Sequence, residues 1–108
     1  MATIGHQDGS VTLWNLRQRQ ILCHTKLHNG EVRGVSYSGE GRFLASAGYD
    51  NKIMVVDTAD PCNLEIVKTL DHEDKVVSVR WHPFMPILCS TSADKSARIW
   101  CPFGEMIK

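Results

Sequence analysis

The feature that most constrains this chain is a histidine and an aspartate that recur at a fixed distance. His28 and Asp50 lie 22 residues apart, as do His72 and Asp94, and the second pair follows the first by 44 residues. The apolar pattern around each pair repeats in the same phase, and a third, incomplete copy containing Asp8 opens the chain. A fixed period of this size predicts a protein built from stacked structural repeats.

The local pattern predicts an all-β fold. Short segments rich in Val, Ile, Leu, Phe and Trp are separated by Gly, Asn, Asp and Pro, which is typical of strands and turns. No stretch carries a helical apolar stripe free of helix-breaking residues. The expected strands are residues 2–5, 10–15, 21–27, 32–38, 43–48, 52–57, 64–70, 76–82, 87–92 and 96–101, with a truncated strand at 105–108.

Alternation within these strands predicts that the sheets are stacked. Ile53 and Val55 lie on one face of their strand and Val56 on the other, so both faces are apolar. A strand with two apolar faces must lie between neighbouring layers. Ala97 and Ile99 occupy the positions of Ile53 and Val55 in the next copy, on one face of their strand. A lone array of such sheets would leave blade faces unburied.

The repeated residues resemble the WD repeat of beta-transducin-like propellers. The third copy carries His72, Val76, Val79, Trp81, Pro83, Ser90, Asp94, Ile99 and Trp100. The second carries His28, Val32, Val35, Ser46, Asp50 and Asp57, and the first carries Asp8, Gly9, Leu13 and Trp14. A WD repeat has ~40–45 residues and supplies one four-stranded blade.

The resemblance implies a partial β-propeller of four-stranded antiparallel blades. We expect one partial domain over residues 1–108, with an incomplete first repeat at 1–28, a second at 29–72 and a third, with a truncated last strand, at 73–108. Propellers typically close with about 4–8 blades. The chain is therefore a fragment of a longer propeller, a short isoform, or a subunit of a ring closed by several copies. Open blade edges invite pairing with other chains, so self-association through them is also expected.

A Ser, His and Asp that recur together resemble a catalytic triad, but a triad is needed once and this set occurs twice. In WD repeats such residues form a hydrogen-bond network inside the blade. The resemblance implies that His72 bonds Asp94 and Ser90, and that Ser90 bonds the indole N–H of Trp100. Buried polar groups need such partners because an unpaired one costs on the order of several kcal/mol. The corresponding structural residues elsewhere are His28, Ser46, Asp50, Asp8 and Trp14.

The second copy has a smaller network, since Val56 stands where the third copy has tryptophan and supplies no N–H. The repeated polar residues therefore predict internal bracing, and we expect no enzymatic activity.

We expect neither a metal site nor a cofactor. Cys23, His24 and His28 are close in sequence, but there is no C-x-x-C and no second pair at zinc-ligand spacing. Cys23 and His24 would also point to opposite faces of a strand. Cys23 and Cys89 sit in apolar runs and are expected to be reduced, structural thiols.

Charge and composition argue against two classes of partner. Lys plus Arg total 12 and Asp plus Glu total 12, whereas nucleic-acid-binding proteins carry a basic excess or stripe. No run approaches the ~20 apolar residues of a membrane helix. The chain does not open with a signal peptide, so we expect an intracellular protein, in the cytoplasm or alternatively the nucleus.

The resemblance implies a rigid platform whose loops carry the functional residues. One rim is built by the turn before each repeat's Asp and by the loop around its His. The candidate partner-binding residues there are Tyr49, Arg33, Glu31, Gln7 and Lys75. Tyr49 and Arg33 rank first because these residue types are enriched at interface hot spots.

The predicted function is a non-enzymatic protein–protein interaction scaffold whose partners are other proteins. The alternative is a purely structural segment that completes a larger propeller or an oligomeric ring and has no partner site of its own.

Overall fold

The computed structural model describes residues 2–39, 41–60 and 64–101, and this part of the chain consists of β-strands and connecting turns. The strands are β1 Ala2–Gly5, β2 Ser10–Asn15, β3 Gln20–Lys26, β4 Val32–Tyr37, β5 Phe43–Gly48, β6 Lys52–Asp57, β7 Glu65–Asp71, β8 Val76–Trp81, β9 Leu88–Ser92 and β10 Ala97–Trp100. The all-β prediction is confirmed, and the expected strands differ from these bounds by at most one residue at either end. The truncated strand expected at 105–108 lies outside the described residues.

The described strands form separate antiparallel sheets that follow the sequence repeat. Blade 1 has the order β1-β2-β3, blade 2 the order β4-β5-β6-β7, and blade 3 the order β10-β9-β8. The register shifts at Val32–Gly34 in β4 and at the equivalent Val76–Ser78 in β8. The register shifts therefore recur at the same repeat position in blades 2 and 3, as the sequence motifs do.

The tight turns between paired strands have the left-handed backbone that Asp, Asn and Gly tolerate. Gly9, Asn51 and Lys95 have φ values of 91°, 71° and 68°. At Gly9 there is also a steric reason for glycine, since a Cβ there would lie 2.0 Å from the carbonyl oxygen of His28. These turns place the repeat's Asp at the same rim in every blade.

Blade 2 buries both of its faces. On one side Leu44 and Val56 pack with Leu13 of blade 1 in one apolar cluster. On the other side Val55 packs with Leu88 of blade 3 in a second cluster. All five side chains are fully buried, as the alternation predicts for a strand between two layers.

Blade 3 has an open face on the side away from blade 2. Ile99, at the repeat position of Val55, is 75% exposed, and Ala97 is also exposed. Cys89, which is a free thiol in an apolar run, is exposed on this face as well. The physical reason is that, among the described residues, no further sheet covers this face.

Candidate functional site

The repeated histidine of blade 2 joins two strands and a turn. His28 Nδ1 lies 2.9 Å from Asp50 Oδ1, and His28 Nε2 lies 2.7 Å from the hydroxyl of Ser46. Asp50 also accepts hydrogen bonds from the backbone N–H groups of Asn29 and Lys52. The structure therefore brings His28, Ser46 and Asp50 together and links them to the turns on either side.

Blade 3 has the same arrangement with one additional donor. His72 Nδ1 lies 3.3 Å from Asp94 Oδ2, and His72 Nε2 lies 2.7 Å from Ser90 Oγ. The indole N–H of Trp100 donates to the same Ser90 oxygen over 2.8 Å. Trp100 can only donate and ionised Asp94 can only accept, so the bond between His72 Nδ1 and Asp94 has the histidine N–H as its donor.

The carboxylate of Asp94 accepts several hydrogen bonds besides the one from His72. The hydroxyl and the backbone N–H of Ser96 both donate to it, as does the backbone N–H of Glu73. These bonds, with that of Ser96 Oγ the largest, lower the pKa of Asp94 well below its usual range. The aspartate therefore stays ionised as the acceptor of the blade 3 network.

Burial determines what these residues can do chemically. Ser46 is 0% exposed and Ser90 is 1% exposed, and the side chains of both histidines are closed to solvent. A nucleophile must contact its substrate, so neither serine is placed to attack one. The arrangement can satisfy buried polar groups and fix the distance between neighbouring strands.

Among the described residues of blade 1 there is no matching His–Ser–Asp network. Asp8 accepts hydrogen bonds from the hydroxyl and the backbone N–H of Ser10, and these lower its pKa. Ile4 stands at the repeat position of Ser46, so a serine is missing there. Trp14 is half-buried at the position of Trp100. Asp8 and Trp14, which were expected to belong to a network in this blade, are therefore not part of a His–Ser–Asp network among the described residues.

A different polar cluster occupies blade 1, and the sequence analysis missed it. Thr12 Oγ1 lies 2.7 Å from His6 Nε2 and 2.7 Å from His24 Nδ1. Thr12 and His24 are direct cross-strand partners of β2 and β3. Strand alternation puts both on one face, which was the only signal in the sequence. No group of three or more His, Cys, Asp or Glu able to hold a metal ion occurs among the described residues.

Two of the candidate rim residues, Arg33 and Lys75, lie close to the ring of Tyr49, in the turn between β5 and β6. Arg33 Cζ lies 5.6 Å from the centroid of the Tyr49 ring, and Lys75 Nζ lies 5.2 Å from it. Glu31 Oε2 accepts a hydrogen bond of 2.8 Å from Arg33. That bond raises the pKa of the Arg33 guanidinium, so the group is always charged. Gln7 is exposed on another turn, between β1 and β2.

The described residues include no helix long and apolar enough to cross a bilayer.

Three antiparallel sheets that follow one sequence period, with hydrogen-bonded His, Ser and Asp side chains in two of them, define a β-propeller-type repeat protein. The family model for the WD domain, G-beta repeat, matches residues 19–57 and 64–101. The chain belongs to this family, as its residues suggested.

Relatives among curated proteins are much longer than this chain. It is 32% identical over 100 residues to the APC/C activator protein CDC20 of Saccharomyces cerevisiae, covering 89% of this chain and 16% of that protein. It is 31% identical over 101 residues to Autophagy-related protein 16 of Arabidopsis thaliana, covering 89% of this chain and 19% of that protein. The chain therefore spans less than a quarter of the length of either relative.

A solved structure shows the same fold. The β-propeller domain of Cps50 (Swd1) from Myceliophteria thermophila superposes with a TM-score of 0.81 and 20% sequence identity, covering 90% of this chain and 30% of that chain. The predicted partial propeller of antiparallel blades is thereby confirmed. WD-repeat propellers are generally non-catalytic scaffolds for protein interactions.

Proposed function

We propose that this chain is a non-enzymatic scaffold that binds other proteins through the Tyr49 surface, defined as Tyr49, Arg33, Lys75 and Glu31. The proposal rests on one observation. The cationic groups of Arg33 and Lys75 both lie close to the half-buried ring of Tyr49, in the β5–β6 turn. Tyrosine and arginine are the residue types that dominate binding energy at protein interfaces.

The contacts among these side chains reduce the entropy lost on binding. A cation near an aromatic face gains about 0.5–1 kcal/mol at an exposed site, and Arg33 is held in addition by Glu31. Ordering a long free side chain at an interface costs about 0.5–1.5 kcal/mol. Side chains that are already ordered bind a partner with less of this cost.

The backbone beneath the surface is also fixed. The N–H of Tyr49 donates to the carbonyl oxygen of Glu31 over 2.9 Å, and the N–H of Ala93 donates to that of Lys75 over 2.8 Å. Asp50, which follows Tyr49, is held by His28. The buried network therefore supports the turn that presents the proposed binding residue.

The proposal extends to the edge of the surface and to the cell compartment. Gln7 is exposed on the equivalent turn of blade 1, and we include it as an outer contact. Cys89 and Cys101 are free thiols, which supports an intracellular, cytoplasmic or nuclear location, where thiols are kept reduced.

The test is quantitative capture of proteins from a cell extract by the wild-type chain and by Tyr49→Ala. We expect at least one captured protein to lose binding by about 2 kcal/mol, the threshold of a hot spot. Because Tyr49→Ala also removes the contacts of Arg33 and Lys75 with the ring, capture is measured at a temperature at which melting curves show both proteins fully folded. Phe84→Ala is the matched control, since Phe84 is an aromatic residue 90% exposed on the β8–β9 loop. Identical capture by Tyr49→Ala and the wild type would refute the proposal and leave a purely structural role.

A further inference from the structure

Asn29 and Gly30 are the only Asn-Gly pair in the sequence, and they lie in the loop between β3 and β4. Asn29 is exposed, and no hydrogen bond within the described part of the chain involves its side-chain amide. The backbone N–H of Gly30 likewise donates no hydrogen bond there. An amide carbon and the backbone nitrogen that follows it are therefore adjacent, and no hydrogen bond restrains either group.

Tight packing of this loop on the β5–β6 turn explains the glycine. A Cβ at residue 30 would lie 3.0 Å from the carbonyl carbon of Tyr49 and 3.0 Å from the backbone nitrogen of Asp50. The loop is held on that turn by two bonds, from the N–H of Asn29 to Asp50 Oδ2 over 3.0 Å and from the N–H of Tyr49 to the carbonyl oxygen of Glu31 over 2.9 Å. Because glycine has no side chain, its nitrogen is sterically open to the preceding residue.

We propose that Asn29 and Gly30 form a site of spontaneous deamidation, at which the folded chain converts asparagine to aspartate and isoaspartate. The Gly30 nitrogen attacks Cγ of Asn29. A bond from this nitrogen to Cγ forms, the Cγ–Nδ2 bond breaks, and the proton of the Gly30 N–H leaves with the amide nitrogen as ammonia.

Water is the second reactant, and it opens the succinimide ring left by the first step. If water breaks the bond between the Gly30 nitrogen and Cγ, the product is aspartate. If it breaks the bond between that nitrogen and the main-chain carbonyl carbon of residue 29, the product is isoaspartate. Either product carries a carboxylate in place of a neutral amide, so the formal net charge of zero becomes negative.

The sequence has one comparable pair, Asp8 and Gly9, and the structure restrains both of its reacting groups. The N–H of Gly9 donates to the carbonyl oxygen of His6 over 3.3 Å, so the attacking nitrogen is already engaged. The carboxylate of Asp8 accepts two hydrogen bonds from Ser10, and an ionised carboxylate is a poor electrophile. This pair should therefore stay intact while Asn29 reacts.

The other asparagines within the described ranges are also restrained. Asn15 precedes a leucine, and its side-chain oxygen accepts hydrogen bonds from two backbone N–H groups of the β2–β3 turn. Asn51 precedes Lys52, whose N–H donates to a carboxylate oxygen of Asp50 over 3.2 Å. In both cases a side chain crowds the nitrogen that would attack, so Asn29 should be the fastest of the three to convert.

The two products should differ in how well they fit the loop. Blade 3 has Glu73 at the repeat position of Asn29, and its N–H donates to Asp94 over 3.2 Å as that of Asn29 does to Asp50. An aspartate at residue 29 therefore fits. An isoaspartate brings its side-chain carbon into the main chain and lengthens it by one C–C bond, about 1.5 Å. The tightly packed loop has no room for this carbon, so the bond from residue 29 to Asp50 should be lost.

Peptide mass spectrometry of the folded chain tests the proposal during incubation in a mildly alkaline buffer, at a temperature at which melting curves show no unfolding. The tryptic peptide of residues 27–33 should gain the mass of an amide-to-acid exchange, relative to a sample digested at once. The peptides that contain Asn15 and Asn51 should stay unchanged over the same period. Conversion that occurs only in chain unfolded with guanidinium chloride, or equal conversion at Asn51, would overturn the proposal.

Two variants separate the chemistry from its structural effect. Asn29→Gln should show no conversion, because its longer side chain would have to close a larger ring. Freshly prepared Asn29→Asp should melt close to the wild type. The isoaspartate fraction of aged wild type, separated by ion exchange, should melt about 4–8 °C lower, the shift expected from the loss of one hydrogen bond in a domain of this size. An isoaspartate fraction that melts as Asn29→Asp does would overturn the predicted misfit.

Discussion

Ser90→Ala should destabilise the chain more than Ser46→Ala, although the two serines occupy the same repeat position. Both are buried, and both bond the repeat histidine over 2.7 Å. Replacing serine with alanine changes little volume, and both variants lose a bond to the repeat histidine. These two costs are therefore similar at the two positions and largely cancel when the free energies are subtracted. Only Ser90 also accepts the indole N–H of Trp100, because blade 2 has Val56 in that position.

The expected difference is the value of that one additional hydrogen bond. A neutral hydrogen bond contributes about 1 kcal/mol to stability, with a spread of about 0.5 kcal/mol, and the half-buried indole recovers part of this from water. A difference of 1 kcal/mol corresponds to about 4–8 °C in the melting temperature of a domain of this size. Urea unfolding followed by tryptophan fluorescence gives the free energies directly.

The control removes the donor. In a Trp100→Val background, which makes blade 3 resemble blade 2, Ser90→Ala should cost the same as Ser46→Ala does in the wild type. Equal costs in the wild-type background, or a larger cost for Ser46→Ala, would refute the assignment of the Trp100 N–H to Ser90.

Two further results follow from the network. Because the folded-state pKa of Asp94 is below its unfolded value of about 3.9, its stabilisation is present above that pH and is lost as the pH falls through and below it. Urea unfolding should therefore show a shallower acid loss of stability in Asp94→Asn than in the wild type, and equal slopes would contradict this. Gly48→Ala should cost about 1–3 kcal/mol, since its Cβ would lie 2.3 Å from Nδ1 of His28. Gly34→Ala, whose Cβ would lie no closer than 3.4 Å to Ser78 Cα, should cost less in the same melts, and the reverse order would contradict the packing.

Repetition made most of the fold predictable. The fixed spacing of His28 to Asp50 and of His72 to Asp94 set the phase of every strand, and apolar alternation then identified the buried faces of blade 2. Tight turns were predictable because Asp and Asn tolerate the left-handed backbone seen at Asn51. A single short apolar run could belong to a strand or to a buried helix, and two copies in the same phase remove that ambiguity.

Features that depend on neighbouring sheets could not be predicted from strand alternation alone. Ile99 has the same alternation as Val55, and only the arrangement of blades decides that one is exposed and the other buried. The bonds of Thr12 to His6 and His24 lie in the repeat that departs most from the pattern. The sequence therefore predicted the features that the copies share and the missing indole of blade 2, but it did not predict the Thr12 cluster of blade 1.

The sequence predicted which residues belong to the Tyr49 surface, but it did not predict how their side chains contact one another. Tyr49, Arg33 and Lys75 are separated in sequence and were grouped only by their expected rim position. Their distances show the two cations close to one ring, which no spacing rule could provide. Side-chain packing of this kind depends on rotamers that the sequence does not determine by itself.

A double-mutant cycle on His28 and Ser46 tests most directly whether the repeated polar residues brace the blades. Unfolding free energies are measured for the wild type, His28→Ala, Ser46→Ala and the double variant. Direct bonding in a buried site predicts a coupling of about 0.5–3 kcal/mol between the two positions. Additive costs, with no coupling outside experimental error, would contradict the account.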